Sequence, residues 1–275
     1  MLTPERIKPR GLLNPRAGEK HFQLSRYPPA PDLSFFVERY WIIHWDLRGR
    51  APYVSENLPY PCVNLVVERQ QSGIFGVVTG KFTHLLEGGG KVFGLKFRPG
   101  AFYPFLKTPV CTLTDTSVPI GSVFGAAGEA LESAMLALED HDAMIALAEN
   151  FLRAHLPARD ENTAFVNHVI DTIIARREIN RVDDVVRLLD LNKRTLQRLF
   201  SQYVGVSPKW VIMRYRLHEA AEQVTSGTVL DWSRLALDLG YFDQAHFIKD
   251  FKSIVGKTPA EYASAINRET TRRPE

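Results

Sequence analysis

The C-terminal third of this chain carries one pattern twice, 51 residues apart, and that repetition limits its fold more tightly than any other feature. Val185 to Pro208 aligns with Ala236 to Pro259. The turn Gly205, Val206, Ser207, Pro208 returns as Gly256, Lys257, Thr258, Pro259, while Leu196 returns as Phe247, Phe200 as Phe251 and Val204 as Val255. Asn192 returns as Asp243, and both side chains carry an oxygen that accepts the free N–H groups of a helix start. Each copy therefore reads as a short helix, a tight turn, a cap and a second helix of roughly a dozen residues, the layout of a helix-turn-helix, over about 183–208 and 232–259. Gly240 follows the stripe of Trp232, Leu235, Ala236 and Leu239, where a left-handed glycine is expected to end the helix. Leu189 stands at that point of the first copy, which must close its turn another way.

Helical spacing divides each second helix into two faces. In the first copy Leu196, Leu199, Phe200 and Tyr203 point inward, which leaves Arg194, Gln197, Arg198 and Ser201 outward. Arginine donates two hydrogen bonds to guanine O6 and N7, and glutamine pairs with adenine N6 and N7, so this face suits base edges. Lys193 at the helix start suits a phosphate. In the second copy Phe247 and Phe251 point inward and Gln244, Ala245, Ile248, Lys249 and Lys252 outward; Ala245 and Ile248 are matched to thymine methyl groups. A solvated basic face would explain any one arginine, but not the repeated constellation. Between the copies Trp210 to Val224 reads as an unbroken helix, about 22 Å long at 1.5 Å per residue. With its flanking turns it could hold the two second helices near one DNA turn apart, about 34 Å.

Two segments carry a family resemblance: Leu237 to Tyr262, LDLGYFDQAHFIKDFKSIVGKTPAEY, resembles the signature of the AraC/XylS transcription regulators, and Asn192 to Trp210, NKRTLQRLFSQYVGVSPKW, resembles that family's first unit. The resemblance covers about residues 161–267. It implies a bacterial, cytoplasmic activator or repressor whose two second helices enter adjacent segments of the DNA major groove. By matched position it implicates Arg194, Gln197 and Arg198, then Gln244, Ala245, Ile248 and Lys249. It also implies a preceding domain for small-molecule sensing or dimerisation, often a cupin-like β-barrel, with RNA polymerase and a second copy of the chain as further partners.

The rest of the sequence agrees with an α+β plan: an N-terminal β-rich domain, cupin-like barrel or sandwich, with flanking helices over 1–157, then an all-α domain over 158–275 with two helix-turn-helix units joined by a long helix. Short apolar runs at Arg39 to Leu47, Cys62 to Glu68, Ile74 to Thr79 and Val92 to Phe97 read as strands. Gly88, Gly89 and Gly90 read as a hairpin loop. Asp142 to Leu156 is an amphipathic helix whose stripe of Met144, Leu147, Phe151 and Leu152 fits either its own domain or a second protomer, and Gly128 to Leu138 is a second helix. Polar, proline-bearing PARDEN at 157–162 reads as the linker.

The net charge is only +3, so the case for DNA rests on local faces rather than a global field. Two cysteines supply no four-thiolate zinc cluster of the kind a repair-methyltransferase regulator needs, and His21, His44 and His84 are scattered singly, so no metal, cofactor or catalytic residue is expected. No window approaches the roughly 18 apolar residues of a membrane helix. For an effector pocket the candidates are Trp45, Asn64, Lys96, Arg98 and Tyr103, the two cations beside a turn suiting an anionic ligand. The alternatives are a β-domain enzyme or a protein-interaction module carrying a helical tail. Neither gives Arg194, Gln197 and Arg198 a reason to share an exposed face.

Overall fold

The N-terminal part is built on alternation. The computed structural model describes residues 11, 13, 15–227 and 231–271, and its strands are β1 Gln23–Tyr27, β2 Val37–Asp46, β3 Tyr53–Asn57, β4 Asn64–Glu68, β5 Gly73–Phe75, β6 Phe82–Leu86, β7 Gly89–Phe97 and β8 Ser117–Val118. Six form an antiparallel sheet in the order β1-β2-β7-β4-β5-β8, and β3 pairs with β6 in a separate ribbon. The two sheets stay unclosed, so the sandwich-like form is the one adopted.

Because successive side chains point to opposite faces, Tyr40, Ile42, Leu65, Val67, Phe93 and Leu95 share the sheet's buried side. Against them pack α1 Gly121–Ala137, through Leu131 and Met135, and α2 His141–His155, through Met144, Ile145, Ala148 and Leu152. The stripe on α2 thus serves its own domain. Asp140 caps α2 by accepting from the Ala143 N–H at 2.8 Å. The glycine triplet departs from expectation: Gly88 alone turns, at φ 59°, while Gly89 and Gly90 pair with Asp46 and Trp45 inside β7. The preceding strand, β6, belongs to the other sheet, so this is a crossing between sheets and not a hairpin.

An extended segment from Leu156 leads to Asp160, whose carboxylate accepts from Asn162 N–H at 2.7 Å and starts α3 Glu161–Ala175. Helices α4 Val182–Leu188 and α5 Lys193–Leu199 make the first unit, α6 Pro208–Thr225 crosses over, and α7 Trp232–Asp238 with α8 Gln244–Val255 make the second, followed by α9 Pro259–Thr271. The first unit's core joins α3 and takes in Val77 from the β part. The second unit's core takes in Leu13 and Leu58. Polar contacts add to this joint: Thr114 donates to Gly205 O at 2.7 Å, and Arg98 donates to Asn167 and Asp171, each at 3.1 Å.

Candidate nucleic-acid interface

The first unit solves its turn with an aspartate. Asp184 accepts from the backbone of Arg181 at 2.9 Å and Asn180 at 3.2 Å at the start of α4. Beyond the helix Asp190 takes the left-handed conformation, φ 49°, which its short polar side chain tolerates better than most. The second unit uses Gly240 at φ 80°, where a Cβ would fall 2.3 Å from the Asn180 Cβ, so glycine is required by conformation and by space.

The two turns also differ in length. The first helices end at Leu188 and Asp238, 50 residues apart, whereas the second helices begin at Lys193 and Gln244, 51 apart. Leu191 donates its N–H to Val186 O at 3.0 Å and Tyr241 donates to Ala236 O at 2.9 Å, which makes these two the equivalent anchors. The uniform offset of 51 is therefore corrected: Val185 corresponds to buried Leu235, and the extra residue of the second unit is Phe242.

Past the turns the units match. Asn192 accepts from Arg194 and Thr195 N–H at 2.9 and 3.2 Å; Asp243 accepts from His246 N–H at 2.7 Å. Helix α5 runs on through a π turn, Phe200–Val204, so both second helices end at left-handed glycines, Gly205 and Gly256. Leu196, Leu199, Phe200 and Tyr203 are buried in the first unit, Phe247 and Phe251 in the second.

The outward faces differ in character. Arg194, Gln197, Arg198 and Ser201 are all exposed, and neither arginine forms an ion pair among the described residues. Lys193 is engaged with Asp183 at 2.7 Å, and this partner holds the Asp183 carboxyl below its usual range. In the second unit Ala245, Lys249 and Lys252 are exposed. Gln244 is half-buried and accepts from Ser233 Oγ at 2.8 Å, and Ile248 is half-buried against the unit's core, so these two are less outward than helical spacing implied.

Helix α6, about 27 Å long by its rise, does more than space the units. Arg216 is buried and donates to the carbonyls of Ile173, Arg176 and Ile179 at 3.1, 2.7 and 3.0 Å, closing the end of α3. Arg214, also buried, lies over the Trp210 ring and donates to Thr79 O and Gly80 O of the β part; burial pulls its pKa down to about 10. Neither role was visible in sequence, where both arginines fall within an unremarkable helical run.

The face of the large sheet turned away from α1 and α2 borders an open cavity of about 750 Å³, lined elsewhere by the β3–β6 ribbon, α3 and α6. Asn64, Lys96 and Arg98 line it; Trp45 and Tyr103 do not. Trp45 lies against Gly90 and donates to Glu87 O, while Tyr103 packs on Tyr203 with ring centroids 4.4 Å apart. Glu38, unnoticed in sequence, sits between Arg39 at 2.5 Å and Lys96 at 3.0 Å. Burial alone would raise its carboxyl pKa, but Lys96 and Arg39 hold it below the usual value. Lys96 also stands over the Tyr60 ring, 4.2 Å from its centroid. From the β3–β6 ribbon His84 reaches Glu68 of β4 at 3.0 Å, which raises the imidazole pKa. Trp41, Phe75 and Phe82 supply apolar surface. Among the described residues no His, Cys, Asp or Glu group is arranged to hold a metal ion, and no helix is long and apolar enough to cross a membrane.

Two family models match the chain: a domain of unknown function over residues 25–119 and a helix-turn-helix domain over residues 185–265. The Msm operon regulatory protein of Streptococcus mutans is 27% identical over 125 residues, 45% of this chain and 45% of that protein. The chain thus aligns with less than half of that relative's length. The HTH-type transcriptional activator AarP of Providencia stuartii is 32% identical over 109 residues, covering 37% of this chain and 78% of AarP. Among solved structures, ToxT from Vibrio cholerae O395 aligns over 90% of this chain and 98% of its own at 14% identity, with a TM-score of 0.37.

Proposed function

The chain belongs to the AraC/XylS family of helix-turn-helix transcription regulators, and we propose that it acts in the cytoplasm as a sequence-specific DNA-binding regulator whose two units enter successive major-groove segments of one duplex. The observation that carries this is the exposed row of Arg194, Gln197, Arg198 and Ser201, set on a helix whose other face is locked into the core. Side chains held on a rigid helix reach base edges in a fixed frame, and each bidentate contact is worth about 1–3 kcal/mol of discrimination. In the second unit Gln244, Ala245 and Ile248 meet the groove, while Lys249, Lys252 and, from the first unit, Lys193 meet phosphates. Neutralising phosphates releases counterions, so affinity falls steeply as salt rises.

A small molecule in the cavity beneath the large sheet modulates this activity, held by Asn64, Lys96 and Arg98. Its walls support the assignment, because α6, the helix that joins the two units, contributes Tyr215, Arg216 and Glu219 to them. A ligand there touches the sensing and DNA-binding parts at once. RNA polymerase and a second copy of the chain are the protein partners of the bound form.

The test is selection from a randomised duplex pool with the full chain and with the double variant Arg194→Ala, Arg198→Ala. The wild type should recover a defined motif, and the variant should lose or relax it at the first unit's bases. Equal, weak, motif-free binding by both, insensitive to salt, would remove DNA from the proposal.

A further inference from the structure

We propose that Phe242 is a DNA-docking side chain, packing its ring on the apolar surface of the duplex at the rim of the groove that α8 enters. The inference rests on the reading of α8 as a groove-entering helix and adds a contact that the helical face pattern does not contain.

Phe242 is 88% exposed, whereas its neighbour Tyr241 is buried at 6%. The chain therefore sinks one aromatic ring and presents the next. Phe242 is also the residue by which the second turn exceeds the first: Leu191 and Tyr241 make the same backbone bond, after which the first unit goes straight to its cap and the second inserts Phe242. An insertion that only lengthened a turn would favour small or polar residues. A phenyl ring in water invites a partner that covers it.

Its position selects the partner. Asp243, the next residue, caps α8, so Phe242 stands where the end of α8 meets the duplex. Three residues on, Ala245 is exposed as well, and the apolar edge continues into half-buried Ile248. The first unit offers Arg194 and Arg198 on its face; the second has no arginine there and offers this edge instead. DNA answers with two apolar surfaces, the C5-methyl of thymine and the carbon edge of deoxyribose.

The test compares the full-length wild type with Phe242→Ser, Phe242→Leu and Arg198→Ala on the selected duplex. Phe242→Ser should bind roughly tenfold more weakly, as loss of a partly buried ring implies. Its salt dependence should stay unchanged, since no phosphate contact is lost. Phe242→Leu should recover most of the affinity, and thermal melting should not move because the ring is exposed. Replacing thymine by deoxyuridine in the second unit's half-site separates the two surfaces: a matching loss in the wild type alone assigns the methyl, and no loss assigns the sugar. Phe242→Ser binding within twofold of wild type while Arg198→Ala is weakened would overturn this inference and leave the DNA reading standing; if transcription fails in that variant, the ring belongs to a protein partner. Failure of the wild type and Arg198→Ala to differ would sink the underlying reading as well.

Discussion

The two helix-turn-helix units are close copies in scaffold and unlike in surface. Both cap the second helix with an Asx side chain, bury aromatic or leucine residues on its inner face and end it on a left-handed glycine. Outside, the first unit shows arginines and a glutamine, while the second shows an alanine, lysines and an inserted phenylalanine, with its glutamine turned to Ser233. Scaffold positions answer to packing and backbone hydrogen bonds, which are the same in any helix-turn-helix. Surface positions answer to the partner alone. The difference teaches that one frame can carry two surfaces, and under the proposed function it divides the labour: the first unit's arginines and glutamine suit hydrogen bonds to base edges, while the second unit's face suits thymine methyls, other apolar surface and phosphates.

The largest expected effect lies in the first unit. Arg194→Ala with Arg198→Ala should weaken specific binding about 100-fold or more, at roughly 1–3 kcal/mol per lost bidentate contact, measured by anisotropy titration on the selected duplex. Next comes the turn that the units build differently. Gly240→Ala forces a side chain into left-handed backbone and against Asn180, and should cost about 2–4 kcal/mol in urea unfolding. Asp190→Gly at the corresponding turn should stay within about 1 kcal/mol of wild type, because glycine adopts that conformation freely. The caps should then behave alike: Asn192→Ala and Asp243→Ala should each cost about 1 kcal/mol, and a large inequality would break the equivalence of the scaffolds. Smallest is Lys249→Ala, expected to weaken binding a few-fold at every sequence and to reduce the slope of log K against log salt by about 0.9.

What was legible in sequence follows the same division. The repeat was plain because caps, core leucines and phenylalanines, and terminal glycines each demand particular residue types at fixed spacing. The shorter first turn was not, since an aspartate in the left-handed region leaves no mark that sets it apart from any other aspartate. In the β part, β2, β4 and β7 announced themselves through apolar runs, whereas of the run Ile74 to Thr79 only Ile74 and Phe75 lie in a strand, β5, and the chain leaves the sheet at Gly76. Strands β1, β3 and β6 did not, because QLSRY, YVSEN and FTHLL mix polar and apolar residues and lie half-exposed. The cavity wall was only partly legible. Lys96 and Arg98 flank a turn and draw notice as cations, but Glu38 and Arg39 come into view only when β2 pairs with β7 and sets Arg39 beside Lys96. Trp45 shares the alternation of Trp41 and Ile43 yet falls past the cavity's end, over Gly90. Burial of Arg214 and Arg216 depends on α3 and the loop at Thr79, which no local pattern brings to α6.

Division of labour between the units is tested most directly by measuring the affinity of the wild type and of the Arg194→Ala, Arg198→Ala variant for every single-base change of the selected duplex. Two blocks of sensitive positions about one helical turn apart are expected, the first steep and flattened in the variant, the second shallow and unchanged. Equal steepness in both blocks, or flattening of both by the first unit's substitutions, would contradict it.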